Sequence, residues 1–310
     1  MKNINILLAV IIFNVSVTAQ SVIVLSNKSI TSFSDGQFYF PKSNPAGSKI
    51  FFTSTNYKGL WYYDTGSKII RQVNNYSGAG YKFRFGEGGN KILFRKVKYI
   101  NKKKFTSLAV IDLVKRKESV LIPEARKLKV IDFTGEDAFV KLENKIQFLS
   151  ITKSKLKKNK LTVKPKVDIE NRDIVVYQNG KRKVLQPLGK GIYLWPSISP
   201  DGTKLLFTFG GNGTYISDLD GNILTNIGYA NYPSWSPDGK WILFMKDKDD
   251  GYNFTGSDLY VIKADGSKEI QLTSSDDVIE LYPSWLPDNS GIVYNTSSGI
   301  VYLMKLKISD

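Results

Sequence analysis

The stretch that decides the fold is "YPSWSPDGKW", residues 232–241. The chain writes it again as "YPSWLPDNSG" at 282–291, and earlier as "WPSISPDGTK" at 195–204. Proline presets the first central position of a tight turn, Asp tolerates the second, and Gly takes the left-handed conformation that closes a short hairpin. Strand-forming residues flank this turn, "YPSW" before it and "KWILFM" after it. The phrase therefore predicts a β-hairpin with a short first strand and a longer, apolar second one. Downstream, "LYVI", the turn Ala264-Asp265-Gly266-Ser267 and "EIQLT" supply a third and a fourth strand. Four antiparallel strands recurring every ~40–45 residues make the blade of a β-propeller.

Weaker copies extend the pattern to both ends of the chain. The motif positions are Pro41, Pro45 and Gly47; Pro196, Pro200, Asp201 and Gly202; Pro233, Pro237, Asp238 and Gly239; and Pro283, Pro287 and Asp288. A further copy at 83–94, "FRFGEGGNKILF", keeps the glycine and the apolar strand without the prolines. Another is read as "VIDFTGEDAFVKL", a basic insertion, and "DIVVYQNGKRKVLQP". This places repeats at about 37–76, 77–125, 126–188, 189–228, 229–276 and 277–308. The last repeat holds three strands, while "SVIVLS" at 21–26 has no blade of its own. The expectation is an all-β, six-bladed propeller of four-stranded antiparallel blades, one domain over 20–310, whose ring is closed by the N-terminal strand. In that strand Val22, Val24 and Ser26 would face one way, and Ile23 and Leu25 the other.

The run "PSWSPDGKWILF…DLYVIKADGSKEIQLT" resembles the TolB-like propeller repeat of bacterial envelope proteins, and is similar to the propeller domain of dipeptidyl peptidase-like enzymes. The resemblance covers nearly everything after residue 20 and is strongest over 190–296. It implies a propeller in the cell envelope. The α/β domain that precedes the propeller in TolB has no counterpart here, nor has the hydrolase domain of the peptidases, so the expectation is a propeller alone.

Composition narrows the chemistry. The 310 residues contain no Cys and no His. Disulfides, thiolate and imidazole metal sites, a Cys nucleophile and a Ser-His-Asp triad are therefore closed to this chain. Residues 1–19 read as a cleaved signal peptide: Lys2, then the apolar "INILLAVIIFNVSV", then Val17-Thr18-Ala19 at the cleavage site. That predicts a periplasmic or secreted protein with no transmembrane segment in its mature chain. The net charge is +16, much of it in "RKVKYINKKKF" (95–105) and "KSKLKKNKLTVKPK" (153–166), both expected as mobile, solvated hairpins. Outside the cytoplasm such charge suits an acidic protein or an anionic envelope polymer, and nucleic acid is not expected as a partner.

Propeller geometry puts the Pro-Asp-Gly turns on one face. The opposite face then collects Tyr39, Tyr81, Tyr193, Trp195, Tyr232, Glu280 and Tyr282 as candidate binding residues, with Asn56, Tyr57, Lys98, Tyr99, Asp249 and Tyr252 further out. Rigid rings with a polar tip suit protein or sugar contacts. Asp247, Asp249 and Asp258 have a partial calcium-loop spacing, but Gly251 and Tyr252 stand where that loop needs a ligand and then a glycine; no metal and no cofactor is expected. No pair of carboxylates recurs where blades converge. The expected function is a non-catalytic module that binds another envelope protein. The alternative is a glycan or anionic cell-wall polymer as ligand, and a carboxylate-dependent glycan-active enzyme comes third.

Overall fold

The computed structural model describes residues 21–309, except 135–136, 144, 151–155 and 158–163. The signal-peptide reading of 1–19 lies outside the described residues. β1 (Ser21–Ser29) is followed by a blade of β2 (Tyr39–Ser43), β3 (Lys49–Thr53), β4 (Leu60–Asp64) and β5 (Ile70–Asn74). The second blade is β6 (Arg84–Phe85), β7 (Lys91–Ile100), β8 (Lys103–Asp112) and β9 (Lys117–Ala125). The third is β10 (Leu128–Thr134), β11 (Asp137–Leu142), β12 (Lys145–Ser150) and β13 (Leu156–Lys157). The fourth is β14 (Lys166–Glu170), β15 (Asp173–Gln178) and β16 (Lys181–Leu185). The fifth is β17 (Tyr193–Ile198), β18 (Lys204–Phe209), β19 (Gly213–Asp218) and β20 (Ile223–Gly228). The sixth is β21 (Asn231–Trp235), β22 (Trp241–Asp249), β23 (Phe254–Lys263) and β24 (Glu269–Gln271). The seventh is β25 (Glu280–Trp285), β26 (Gly291–Thr296) and β27 (Val301–Ser309), with β1 outermost.

The propeller thus has seven blades, and the expected six is corrected. The stretch 126–188, read as one repeat, is two blades, each with its own hairpins. The fourth blade hides because its first turn, Glu170-Asn171-Arg172-Asp173, contains neither Pro nor Gly. Asn171 and Arg172 carry the left-handed backbone themselves, at φ +51° and +75°, as a two-residue hairpin turn demands. This blade shows three strands among the described residues, not the expected four. The basic run 153–166 lies between the third and fourth blades, and most of it is outside the described residues. The run 95–105 forms the end of the β7–β8 hairpin, paired regularly from Arg95↔Leu108 to Ile100↔Lys103.

Second strands carry continuous apolar runs because each is covered on both faces by neighbouring blades. Ile50, Phe51 and Phe52, Leu205, Leu206 and Phe207, and Trp241 to Phe244 are all fully buried.

The opening phrase makes contacts between blades. In its turn the Ser236 hydroxyl accepts from the Trp241 amide at 2.9 Å and donates to Asp238 at 2.6 Å, while the Gly239 amide closes on the Ser236 carbonyl at 2.9 Å. Ser199, Asp201 and Gly202 repeat this turn. Gly239 faces the Pro200 ring of the preceding blade, and Gly47 faces Pro287 in the same way. The tryptophans also reach back one blade. The Trp235 indole donates to the Ser197 carbonyl, and that of Trp285 to the Ser234 carbonyl, both at 3.4 Å.

The third blade lacks these contacts, the fourth keeps one, with Gly202 of the fifth blade facing the Pro165 ring, and the two blades are tied to each other by ion pairs. Lys129 meets Asp168 at 2.6 Å, Lys141 meets Glu170 at 2.8 Å, and Lys166 pairs with Asp132. Burial opposes ionisation of Glu170, but hydrogen bonds from Lys141, Tyr177 and Arg182 outweigh it and hold the carboxyl down at about 2.

The ring closes as the sequence predicts. β1 pairs antiparallel with β27 from Ser21↔Ser309 to Ser29↔Tyr302, a longer strand than the expected 21–26. A bulge between Val24 and Ser26 breaks the expected alternation. Only Val22 enters the core, whereas Ile23, Val24 and Leu25 are exposed. Closure therefore rests on the backbone ladder, with the Asn27 amide on the Tyr294 hydroxyl at 2.7 Å and Ser21 on Ser309. Among the described residues no helix is long and apolar enough to cross a membrane.

Deleting 21–29 strips the whole edge of β27. We expect the melting temperature to fall by roughly 5 °C or more and aggregation to set in. Thermal unfolding with light scattering checks this, and a deletion that melts like the parent and stays monomeric would refute closure by this strand.

Candidate functional site

Each inner strand of the phrase-bearing blades contains the same irregularity. The register slips between Tyr39 and Lys42, Leu194 and Ser197, Asn231 and Ser234, and Leu281 and Ser284. Inside each slip stands an aromatic residue followed by proline. The aromatics, Phe40, Trp195, Tyr232 and Tyr282, all have left-handed backbones, with φ between +47° and +55°. Lys82 occupies the same place in the second blade at φ +50°. Such a conformation costs a bulky residue about 1–3 kcal/mol. Proline makes the bulge tolerable, since it has no N–H to leave unpaired. The kink takes the ring out of the strand's up-down alternation.

The result is one chain of rings across the channel mouth. Trp195 meets Tyr232 at 6.2 Å, Tyr232 meets Tyr282 at 5.3 Å, and Tyr282 meets Phe40 at 4.2 Å. Phe40 stacks on Tyr57 at 4.9 Å, Tyr57 meets Tyr81 edge-on at 5.0 Å, and the Arg95 guanidinium lies over Tyr81 at 4.1 Å. Five blades contribute. The Tyr232 hydroxyl, deep in this cluster, is pushed up to about 12, mainly by burial. Burial likewise raises Tyr57 and Tyr282 and lowers Arg95.

Beside the chain lies a depression of about 620 Å³, lined by Tyr39, Phe40, Asn56, Asp249, Tyr252 and Tyr282 among others. Two long hairpins, β7–β8 and β22–β23, flank this mouth. Their tips carry Tyr99 and Tyr252, the latter 95% exposed.

The structure sorts the candidates. Tyr81, Trp195, Tyr232 and Tyr282 join the ring chain, and Tyr39 lines the depression. Tyr193 does not belong. It is 1% exposed, its hydroxyl bonded to Leu188 and Gly189, and it packs in the core. Glu280 is also buried, at 3% exposure, between the sixth and seventh blades. The Ser275 hydroxyl donates to its Oε1 at 3.2 Å, and its Oε2 has no partner among the described residues. Burial, with some repulsion from Asp258, pushes its carboxyl up to about 7. Phe40 and Arg95 were not among the candidates. Phe40 could have been found, because it stands before Pro41 as Tyr232 stands before Pro233.

The carboxylates with calcium-loop spacing have separate roles. Asp247 accepts from Asn231 at 2.7 Å, Asp249 caps its own turn through Gly251, and Asp258 receives Thr273. The described residues contain no group of three or more Asp or Glu that could hold a metal.

No family model and no curated protein matches the chain. Among solved structures, the β-propeller domain of Myceliophteria thermophila Cps50 (Swd1) is similar at TM-score 0.61, with 11% identity over 92% of this chain and 99% of that one. An oligogalacturonate lyase in complex with manganese is similar at 0.47, with 14% identity over 87% of this chain and 78% of that one. TolB from Acinetobacter baumannii is similar at 0.45, with 18% identity over 77% of this chain; the match spans 54% of TolB. At these identities the likeness shows the propeller fold alone.

Glu280 generates a pH prediction. Its folded pKa of about 7 exceeds the ordinary 4.5. The folded state therefore binds the proton more tightly, and this contribution is full below about 4.5 and lost as pH rises through 7. Glu280→Gln should match the parent near pH 4.5 and exceed it by roughly 1–3 kcal/mol at pH 8. Denaturant unfolding at both pH values measures it; equal stability at pH 8 would show that folding does not raise the carboxyl's pKa.

Proposed function

We propose that this chain is an exported, non-catalytic propeller of the bacterial envelope that binds another protein at its aromatic mouth. The observation that carries the reading is the ring chain itself. Several strained positions in different blades hold bulky aromatics together over one opening. Interface anchors are drawn mainly from Trp, Tyr and Arg, packed where water is excluded. Trp195, Tyr232, Tyr282 and Arg95 have that composition, and the hairpin tips at Tyr99 and Tyr252 supply a rim. The resemblance of the repeat to TolB-like sequences and the signal-like residues 1–19 support an envelope setting.

Ring orientation favours protein over glycan. Sugars stack on an open ring face. Here Trp195 and Tyr232 cross at 69°, Tyr232 and Tyr282 at 73°, and Tyr57 and Tyr81 at 90°, so edges cover faces. What remains suits an apolar side chain or a loop inserted from above.

The test is affinity capture from envelope extract, followed by titration with the purified partner. Trp195→Ala and Tyr57→Ala should each weaken binding at least about tenfold. Val114→Ala, exposed on the opposite face, should leave it unchanged. A partner held equally by all variants would refute the mouth as the site. Retention on polysaccharide, lost in the same variants, would transfer the site to a glycan.

A further inference from the structure

The opposite end of the channel has different chemistry. There the inner strands border an open cavity of about 500 Å³, lined by Lys42, Asn44, Arg84, Phe85, Asp132 and Trp285 among others. Lys42 and Arg84 stand at one equivalent position, two residues beyond the left-handed residues Phe40 and Lys82. In the fifth, sixth and seventh blades that position is Ser197, Ser234 and Ser284. Two serines of the pattern are thus replaced by cations in adjacent blades.

Asp132 attracts Lys42 from across the cavity, but neither cation is in ion-pair contact with a carboxylate. Among the described residues neither Lys42 nor Arg84 forms an ion pair. The Arg84 guanidinium reaches only the carbonyls of Lys82 and Phe83, at 3.3 Å. Lys42 Nζ lies 5.8 Å from the centre of the Phe85 ring. Asp132 is the only carboxylate among the described residues lining the cavity, and Lys166 already holds it. Burial and the charge of Arg84 pull the Lys42 ammonium down to about 8, while Asp132 acts the other way. Two like charges side by side raise the energy of the empty protein, and Asp132 offsets only part of this at Lys42. Three blades keep serine there, and the third carries Asp132 at the same place after its own slip.

We infer that this cavity binds a small organic anion, its phosphate or carboxylate head between Lys42 and Arg84 and its ring-shaped or apolar body against Phe85 and Trp285. The head neutralises both cations, and the guanidinium supplies a planar fork for two oxygens. The volume exceeds what a bare oxyanion fills, and the aromatic walls give the body its place.

The test uses inorganic phosphate and phenyl phosphate as probes, titrated calorimetrically into the mature protein in low-salt, phosphate-free buffer. Phenyl phosphate should bind at least tenfold more tightly than inorganic phosphate. Lys42→Met and Arg84→Gln should each weaken it at least tenfold. In buffer without anion, Lys42→Met should melt at a higher temperature than the parent, because it removes the repulsion while keeping chain length. That second reading separates a binding residue from a structural one. The inference is overturned if the parent binds neither probe, or if Lys42→Met binds as the parent does, which would place the anions on surface lysines. It is equally overturned if Lys42→Met melts lower than the parent in phosphate-free buffer. Equal affinity for both probes would refute the assigned place of the body.

Discussion

The structure depends on one backbone constraint, the left-handed aromatic residue that precedes proline on the inner strands. At Phe40, Trp195, Tyr232 and Tyr282 the chain accepts a conformation that bulky side chains avoid. Proline removes the donor that the bulge would orphan, and the strand resumes its ladder one residue out of step. Everything nearby follows from that slip. The ring leaves the blade and meets the ring of the next blade. The following Ser carbonyl accepts the next blade's indole, and the turn beyond packs its glycine on the neighbouring proline. The repeated phrase is thus a set of joints between blades rather than a description of one blade.

The ring is held in two ways. From the fifth blade round to the second, aromatic and Pro–Gly contacts join neighbours. At the third and fourth blades lysine–carboxylate pairs take over, with Glu170 gathering Lys141, Tyr177 and Arg182. Such pairs offset their desolvation only when well hydrogen-bonded, and Glu170 is. Where ionic contacts join the third blade to the fourth, the tryptophan contacts of the phrase are absent, while Pro165 still receives Gly202 of the fifth blade.

The same asymmetry divides the channel. One mouth is crowded with rings, with the Arg95 guanidinium over the last of them. The other end carries Lys42 and Arg84 over aromatic walls. Blades are rigid, so each end of the channel presents its own side chains in fixed positions.

The residues alone determined the all-β class, the blade as the repeating unit, the Ser-Pro-Asp-Gly hairpin and the N-terminal strand as the ring's last piece. These are local matters: turn chemistry fixes a hairpin wherever it occurs, and a three-stranded last repeat needs an edge partner. Of the mouth, Tyr81, Trp195, Tyr232 and Tyr282 were legible because propeller geometry assigns faces by strand order. Only the tertiary structure decided the blade count, because the fourth blade turns through Asn171 and Arg172 without the Pro or Gly that marks the first turn of the other blades. It alone separated buried Tyr193 and Glu280 from the open mouth, brought Arg95 into it, and turned the opening phrase into contacts between blades. Those facts depend on residues distant in the chain meeting across an interface, and a register slip of one residue decides which side chains arrive there.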